Sequence, residues 1–191
     1  MKLGGLTILA AIALSSGCAF APQAVIISPQ VDVQASAVGA DRSVNLNVVD
    51  ERPRKTLGTR GVRGVGADLT IEGDLSATVQ KALVEGLAKQ RFKPLIDSNP
   101  ESRELRVEIR NLDYTMIMGF WSGTLKVDVG LKAICVRGSQ RPYEQLHRGE
   151  IAESVQVVQS AEANNSYISQ AVSAAVNSLL KDRKLLTCLS E

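Results

Sequence analysis

Residues 125–135 read LKVDVGLKAIC, and apolar side chains occupy every second position over most of this stretch. Because successive side chains of a β-strand point to opposite faces of the sheet, the pattern predicts a strand with one buried face. The alternation recurs in residues 105–110 and slips at Asn111, which predicts a second strand with a β-bulge. A third strand is predicted over residues 151–158, after a turn at residues 138–142. These short connections favour an antiparallel meander.

Two amphipathic helices complete the predicted fold. The first spans residues 74–89 and can be capped by its own Asp74, and the second spans about residues 165–183 behind Asn164 or Asn165. With a strand at residues 43–50 and a short one near residue 95, the pattern predicts an α+β fold. We expect a two-layer sandwich in which two helices cover one face of a mostly antiparallel sheet of about five strands.

The composition and net charge argue against one class of binding partner, nucleic acid. The chain has 191 residues, of which 45% are hydrophobic and 22% charged, as is typical of a globular domain and not of a disordered chain. Its net charge is only +2, and binding to nucleic acid needs a concentrated basic surface. We therefore expect no nucleic-acid partner.

The N-terminus carries the pattern of an export signal. Lys2 precedes an apolar run to Leu14, and the small residues Ser15, Ser16 and Gly17 lead to Cys18. The run is too short for a spanning helix, which needs roughly twenty residues. The segment resembles a bacterial lipoprotein signal, in which a Gly-Cys pair ends the lipobox. The alternative is an ordinary signal peptide with a buried free cysteine.

The lipoprotein resemblance implies a division of the chain. Residues 1–17 would be the signal peptide, and residues 18–42 a lipid-anchored tether broken by prolines. Residues 43–191 would form one periplasmic domain. Acyl chains such as palmitate on Cys18 would hold the protein in a membrane. The residue after Cys18 is alanine and not the aspartate of inner-membrane lipoproteins, so the resemblance implies the outer membrane, with the domain facing the periplasm.

Two further cysteines, Cys135 and Cys188, remain for the domain. An even pair in an oxidising compartment is compatible with a disulfide. The alternative is two separate buried thiols, because the sequence alone does not give the distance between their Cα atoms.

Residues 52–66 combine four glycines with five basic side chains. Glycine-rich backbone and guanidinium groups suit phosphate or carboxylate, so one hypothesis is an anion site for lipid head groups or cell-wall fragments. The other is a mobile surface loop. The candidate residues are Arg52, Arg54, Lys55, Arg60 and Arg63.

A cluster of large apolar residues lies between the first two strands of the meander. Its aromatic members are Phe120 and Trp121. They could form an exposed tip that contacts a membrane or a partner. Alternatively, the strands extend this far and the side chains reach the core, as large aromatic residues usually do.

No catalytic pattern stands out. The single histidine, His147, is expected at a surface or sheet edge, without a nucleophile motif nearby. One histidine without a close cysteine pair does not form a zinc site. We therefore predict no catalytic residues, no metal, no cofactor and no enzymatic activity.

Several segments together resemble the YajG family of uncharacterised Gram-negative lipoproteins. They are the Gly17-Cys18 pair, the strand ending at Val48–Arg52, the helix Leu75–Leu87 and the helix Ile168–Leu180. The resemblance implies no activity or catalytic residue. It favours a binding or accessory module for an envelope partner, and the alternative function is anion binding through residues 52–66. The sequence does not define the oligomeric state.

Overall fold

The computed structural model describes residues 21–62, 65–96, 103–119, 122–155 and 159–191. The described elements follow one another as β1 (Gln23–Val25), β2 (Ser43–Asp50), β3 (Gly58–Val62), β4 (Val65–Ile71), α1 (Leu75–Lys89), β5 (Lys93–Leu95), β6 (Arg103–Met118), β7 (Gly123–Arg137), β8 (Gln140–Val155), α2 (Ala161–Leu180) and α3 (Arg183–Ser190). The α+β class predicted from the periodicity is confirmed.

The larger sheet has five strands in the order β5-β2-β6-β7-β8. The strands β6, β7 and β8 form the predicted antiparallel meander. In contrast, β2 runs parallel to both of its neighbours. The last strand starts at Gln140 and not near Ile151, because the turn that precedes it occupies only two residues.

The predicted bulge lies in β6, where the pairing with β7 shifts between Ile109 and Asn111. Before the shift, odd-numbered residues such as Ile109 face the core. After it, Leu112 and Tyr114 do so. One extra residue therefore keeps the apolar side of this long strand buried along its whole length.

Both long helices pack on the same face of the sheet. Helix α1 lies over β2 and β5, helix α2 lies over β7 and β8, and the two helices touch each other. Asp74 caps α1 as predicted, with its carboxylate accepting from the backbone N–H groups of Ser76 and Ala77. Helix α2 approaches β8 closely at Gly149, where a Cβ atom would lie 2.0 Å from the carbonyl oxygen of Ala171.

The start of α2 differs from the prediction. Ser160 caps the helix, with its hydroxyl accepting from the backbone N–H of Ala163, so α2 begins at Ala161. Asn164 is instead fully buried inside the first turns. Its side chain accepts from the hydroxyl of Tyr114 (3.1 Å) and donates to the amide oxygen of Gln23 (2.9 Å). It therefore joins α2 to β6 and β1.

A second sheet, with the order β1-β4-β3, occupies the region expected to be a loop. Strands β3 and β4 form an antiparallel hairpin, and β1 pairs in parallel with β4. The alternative of a mobile loop for residues 52–66 is thus wrong for residues 58–62 and 65–66, which lie in β3 and β4. Gly58 is required at the junction, because its φ of +153° is unfavourable for other residues and an added Cβ would lie 2.2 Å from the Tyr114 carbonyl oxygen.

The segment expected to be a tether is also packed on the domain. Val25 is fully buried in β1, and Ile27 is 8% exposed. Val31 and Val33 contact the same core. A flexible spacer reaching residue 42 is therefore wrong for residues 23–33, which belong to the folded domain.

A short third helix, α3, was not predicted. Asp182 caps it, accepting from the backbone N–H groups of Lys184 and Leu185. Leu185 and Leu189 are fully buried. The chain after α2 therefore returns to the core instead of ending as a tail.

Candidate functional site

Four of the candidate residues from the sequence lie outside the described residues. They are Cys18, Arg63, Phe120 and Trp121. The remaining basic candidates and the two domain cysteines have described positions, and these positions decide what the surface can bind.

Two of the basic candidates converge on one carboxylate. Arg52 is 6% exposed and binds Asp50 through two nitrogens, with Nε and Nη2 each 2.9 Å from a carboxylate oxygen. Lys55 approaches the same carboxylate, with Nζ 2.9 Å from Oδ2. Burial raises the pKa of Asp50, but the hydrogen bonds from Arg52 and Lys55 outweigh it and bring the pKa to about 2. Asp50 therefore stays ionised and neutralises much of the positive charge here.

The other two described basic candidates point elsewhere. Arg54 lies 3.0 Å from a carboxylate oxygen of Asp113. Arg60 donates to the backbone carbonyl of Gln159 at 3.2 Å. The four cations are thus divided among different partners, and an incoming anion would have to displace Asp50 or Asp113. This geometry does not favour the anion site proposed from the sequence.

An open cavity of about 430 Å³ lies beside the Arg52–Asp50 pair. Its charged lining consists of Arg52, Lys55, Asp50 and Asp74, where Asp74 is the cap of α1. Two cations and two carboxylates balance each other, and Asp74 already occupies the first N–H groups of the helix. The cavity can therefore hold water or a small polar molecule without preference for an anion.

The sheet face opposite the long helices carries a network of ion pairs. Glu51 accepts from Arg106 (2.8 Å) and from Arg110 (2.7 Å), and Glu108 accepts from the same two guanidinium groups at 3.1 and 3.3 Å. The side chain of Glu108 is only 10% exposed. Such a network makes this face hydrophilic and close to neutral, which suits a solvent-facing surface or a polar contact.

The structure joins Cys135 on β7 to Cys188 on α3 in a disulfide, with the Cα atoms 6.5 Å apart. Cys135 is fully buried and Cys188 is 9% exposed. The bond fastens the last helix to β7, near the C-terminal end of that strand. Of the two alternatives for these cysteines, the structure agrees with the disulfide and not with two separate buried thiols.

His147 lies on β8, the edge strand of the larger sheet, as one of the two expected positions has it, but its side chain is buried and not at the surface. It is 3% exposed, and its Nε2 lies 2.8 Å from the hydroxyl of Tyr143. That hydroxyl donates to Asp182 at 2.8 Å, so Nε2–H donates to the phenol oxygen. Burial lowers the pKa of His147 more than the nearby Asp182 raises it, which favours the neutral form of the ring. Burial and the bond to Asp182 raise the pKa of Tyr143.

This buried cluster includes a serine but does not resemble a hydrolase site. The Ser178 hydroxyl lies 3.4 Å from Nδ1 of His147, too far for an efficient proton transfer. Ser178 belongs to the interior of α2, where backbone N–H groups bond within the helix and cannot stabilise an oxyanion. The cluster instead fixes the junction of α2 and α3 on β8. Sequence reasoning missed it because its two halves, Tyr143 with His147 and Ser178 with Asp182, are 31 to 39 residues apart.

A regular ladder of hydrogen bonds holds the N-terminal arm, residues 26–32, along α2. Every second backbone N–H of the arm donates to a side chain of every fourth helix residue. The bonds run from Ile26 to Asn165 (3.2 Å), from Ser28 to Ser169 (3.0 Å), from Gln30 to Ser173 (2.9 Å) and from Asp32 to Asn177 (2.8 Å).

The ladder works because the two repeats match in length. Two extended residues advance by about 6.4 Å and four helical residues by about 6.0 Å. Pro29, which has no N–H, occupies a position between two bonded residues. The polar residues of α2 that face the arm therefore serve as binding partners within the chain, a role that helix periodicity alone does not reveal.

The β6–β7 hairpin displays an apolar side chain at its end. Ile117 is 66% exposed, whereas its neighbour Met116 packs against the core. The N–H of Gly119 donates to the carbonyl of Ser122 at 2.8 Å, which closes the hairpin. In the sequence, the two candidate aromatic residues connect these positions.

No helix in the described ranges is long and apolar enough to span a bilayer. Within the same ranges, no group of three or more His, Cys, Asp or Glu side chains is placed to share a metal ion.

The chain matches a protein family over most of its length. A family model described as uncharacterized lipoprotein matches residues 29–190. The chain belongs to this family of uncharacterised lipoproteins. The match covers the second half of the N-terminal arm and nearly all of the domain, which agrees with the packed position of the arm. It does not test the narrower resemblance to the YajG proteins, which stays a prediction. No curated protein matches the chain.

This lipoprotein is similar to several solved structures. A protein from Xanthomonas campestris is 13% identical, with a TM-score of 0.55 over 82% of this chain and 93% of that one. A neuraminyllactose-binding hemagglutinin homolog from Helicobacter pylori is 8% identical, with a TM-score of 0.53 over 86% and 95%. A minor lipoprotein from Acinetobacter baumannii is 10% identical over 74% and 91%, with a TM-score of 0.48. At these identities, the first two show a common fold and nothing about function.

Proposed function

We propose that this lipoprotein is anchored through acylated Cys18 in the outer membrane and that its domain acts as a binding or accessory module in the periplasm. The observation that carries the proposal is the lipoprotein family match, because such a protein needs a free cysteine at its mature N-terminus. The chain has three cysteines, and two of them are bonded to each other. This leaves Cys18, at the end of the signal-like segment, for the lipid.

A role in binding and not in catalysis is supported by the arrangement of reactive side chains. The only histidine is buried between a tyrosine and a helix. The charged groups of the open sheet face are paired with one another. Both arrangements favour a stable scaffold that presents surfaces to an envelope partner.

The anchor is tested by the variant Cys18→Ala, expressed with a labelled fatty acid. We expect the label to disappear and the protein to leave the outer-membrane fraction of a sucrose gradient. The matched control is Cys135→Ala combined with Cys188→Ala, which should keep both the label and the fraction. Wild-type fractionation of Cys18→Ala would refute the anchor.

The accessory role is tested by photo-crosslinking in intact cells. A crosslinking amino acid would replace Leu146, which is 39% exposed on β8, or Gln170 on the outer side of α2. A binding module should give a discrete protein adduct from one of these positions and not from the other. Recovery of no protein neighbour from either position would count against the accessory role.

A further inference from the structure

Three arginines continue the core-facing rows of three neighbouring strands past the last buried residue. Strands β2, β6 and β7 lie side by side in the larger sheet. Since strand residues alternate between the two faces, a residue two positions away from a buried one points to the same side. The pairs with this spacing, each with a fully buried second member, are Arg42 with Val44, Arg103 with Leu105, and Arg137 with Cys135. We call Arg42, Arg103 and Arg137 the arginine row.

The pairing of the strands brings these arginines together. The antiparallel register of β6 and β7 reaches Glu104, so Arg103, the first residue of β6, lies opposite Arg137, the last residue of β7. On its other side, Arg103 lies opposite Val44, two residues after Arg42. At the usual spacing of strands, neighbouring members of the row have Cα atoms roughly 5 to 8 Å apart. Side chains from three strands therefore lie together at one end of the sheet, on the side that carries the helices.

The row carries positive charge with little to neutralise it. Burial lowers the pKa of Arg103, and the charges of the other two arginines lower it further, while Glu191 raises it. Within the described ranges, none of the three guanidinium groups forms an ion pair or a side-chain hydrogen bond. On the same strand, by contrast, Arg106 and Arg110 both bind Glu51. The row is therefore a cluster of like charges, which repel one another and lower the stability of the fold.

The scaffold holds the row in place. Each arginine lies in or next to a strand of the larger sheet, and strands hold side chains more precisely than loops do. Arg137 follows Cys135, which the disulfide joins to α3. Arg52, one of the basic residues selected from the sequence, lies beyond the other end of β2. The row is thus separate from residues 52–66, and it was not apparent earlier because its members are far apart in the sequence.

We propose that the arginine row is a binding site for a phosphate group. A guanidinium group presents planar N–H donors that match phosphate and carboxylate oxygens. A phosphate monoester has three free oxygens and nearly two negative charges, so it can accept from all three arginines at once. A carboxylate has two oxygens and one charge, and it would leave part of the row without a partner. The site goes beyond the function proposed above and does not depend on acylation of Cys18.

The test uses the link between binding and stability, because a ligand of the folded state raises Tm. Full-length protein in an uncharged detergent is unfolded by heat at increasing concentrations of inorganic phosphate, with sodium chloride adjusted to keep the ionic strength constant. We expect a saturable rise in Tm for the wild type. Arg103→Gln should weaken phosphate binding roughly tenfold, since one charge-assisted contact is lost. Arg137→Gln, at an exposed position, should have the same effect.

Arg110→Gln is the matched control, because it removes the same charge from the same strand. Arg110 binds Glu51 and Glu108 on the opposite face of the sheet, so its variant should bind phosphate as the wild type does. The control also separates binding from the general stabilising effect of phosphate salts, which would raise the Tm of every variant equally. Before phosphate is added, Arg103→Gln should be at least as stable as the wild type, because a repelling charge is removed. An arginine with a merely structural role would lower Tm here and leave the phosphate dependence unchanged.

Two further titrations identify the source of the phosphate. Dioctanoyl phosphatidic acid carries a phosphate monoester on a lipid, whereas glycerol 3-phosphate carries one on a soluble molecule. Equal affinity for the two would assign the row to soluble phosphates, and tighter binding of the lipid would assign it to lipid head groups. A rise in Tm that does not saturate, or one that is the same in Arg103→Gln, Arg137→Gln and the wild type, would overturn the proposal.

Discussion

Removing the disulfide by the double substitution Cys135→Ala and Cys188→Ala should lower the free energy of unfolding by about 4 kcal/mol. The two cysteines are 53 residues apart, and closing a loop of this length restricts the unfolded chain by that amount in the chain-entropy model. For a domain of this size, the change corresponds to a fall of roughly 10 °C in Tm. The native fold should persist, because α3 keeps its buried leucines Leu185 and Leu189.

Urea unfolding, followed by far-UV circular dichroism, measures the effect. The variant should show an unchanged native spectrum, a lower midpoint and a larger m-value, since an unfolded chain without the cross-link exposes more surface. Wild-type protein treated with reductant should approach the variant, and the variant should not respond to reductant. A loss below about 1 kcal/mol would refute the argument from loop closure, and a lost native spectrum would show that the whole domain needs the bond to fold.

Three other perturbations test separate parts of the structure. Gly149→Ala should destabilise the protein by about 2 kcal/mol or more in urea unfolding, because the new Cβ would collide with the backbone of α2; an unchanged midpoint would contradict this packing. Asp50→Asn should make the free energy of unfolding depend less steeply on pH in acid. The carboxylate has a pKa of about 2 in the folded protein, so it stabilises the fold above pH 4 and loses this contribution as the pH falls through 2. An equally steep dependence in the variant would refute its role. Asn177→Ala should speed amide exchange at Asp32 severalfold, reflecting the loss of about 1 kcal/mol, and unaltered exchange would exclude that bond.

The alternation of apolar residues was enough to predict the antiparallel meander of the larger sheet and the bulge after Ile109. These features depend on neighbours in sequence and on antiparallel pairing through short turns. Helix α1 could be predicted equally well, since Asp74 and the apolar spacing that follows are local signals. The parallel pairing of β2 could not be predicted, because it depends on which strands, distant in the sequence, lie side by side in the sheet.

The parts that sequence reasoning missed depend on contacts between distant residues. Each bond of the ladder joins residues about 140 positions apart, and nothing local distinguishes Ser169 or Ser173 from ordinary surface serines. The glycines of residues 58–66 suggested a loop, although Gly58 serves a close approach to Tyr114. The burial of His147 follows from the path of α2 across β8. Amphipathic spacing does not specify that path.

The spacing of the ladder restricts how the N-terminal arm can change its alignment. A displacement by one residue would bring Pro29, which has no N–H, to a bonding position and would expose the valines that now face the core. A displacement by two residues would carry each donor one helical turn along α2, where it would face the next side chain of the ladder. The arm can therefore lengthen or shorten the chain leading to Cys18 only in steps of about 6 Å. Deleting two arm residues should be tolerated far better than deleting one.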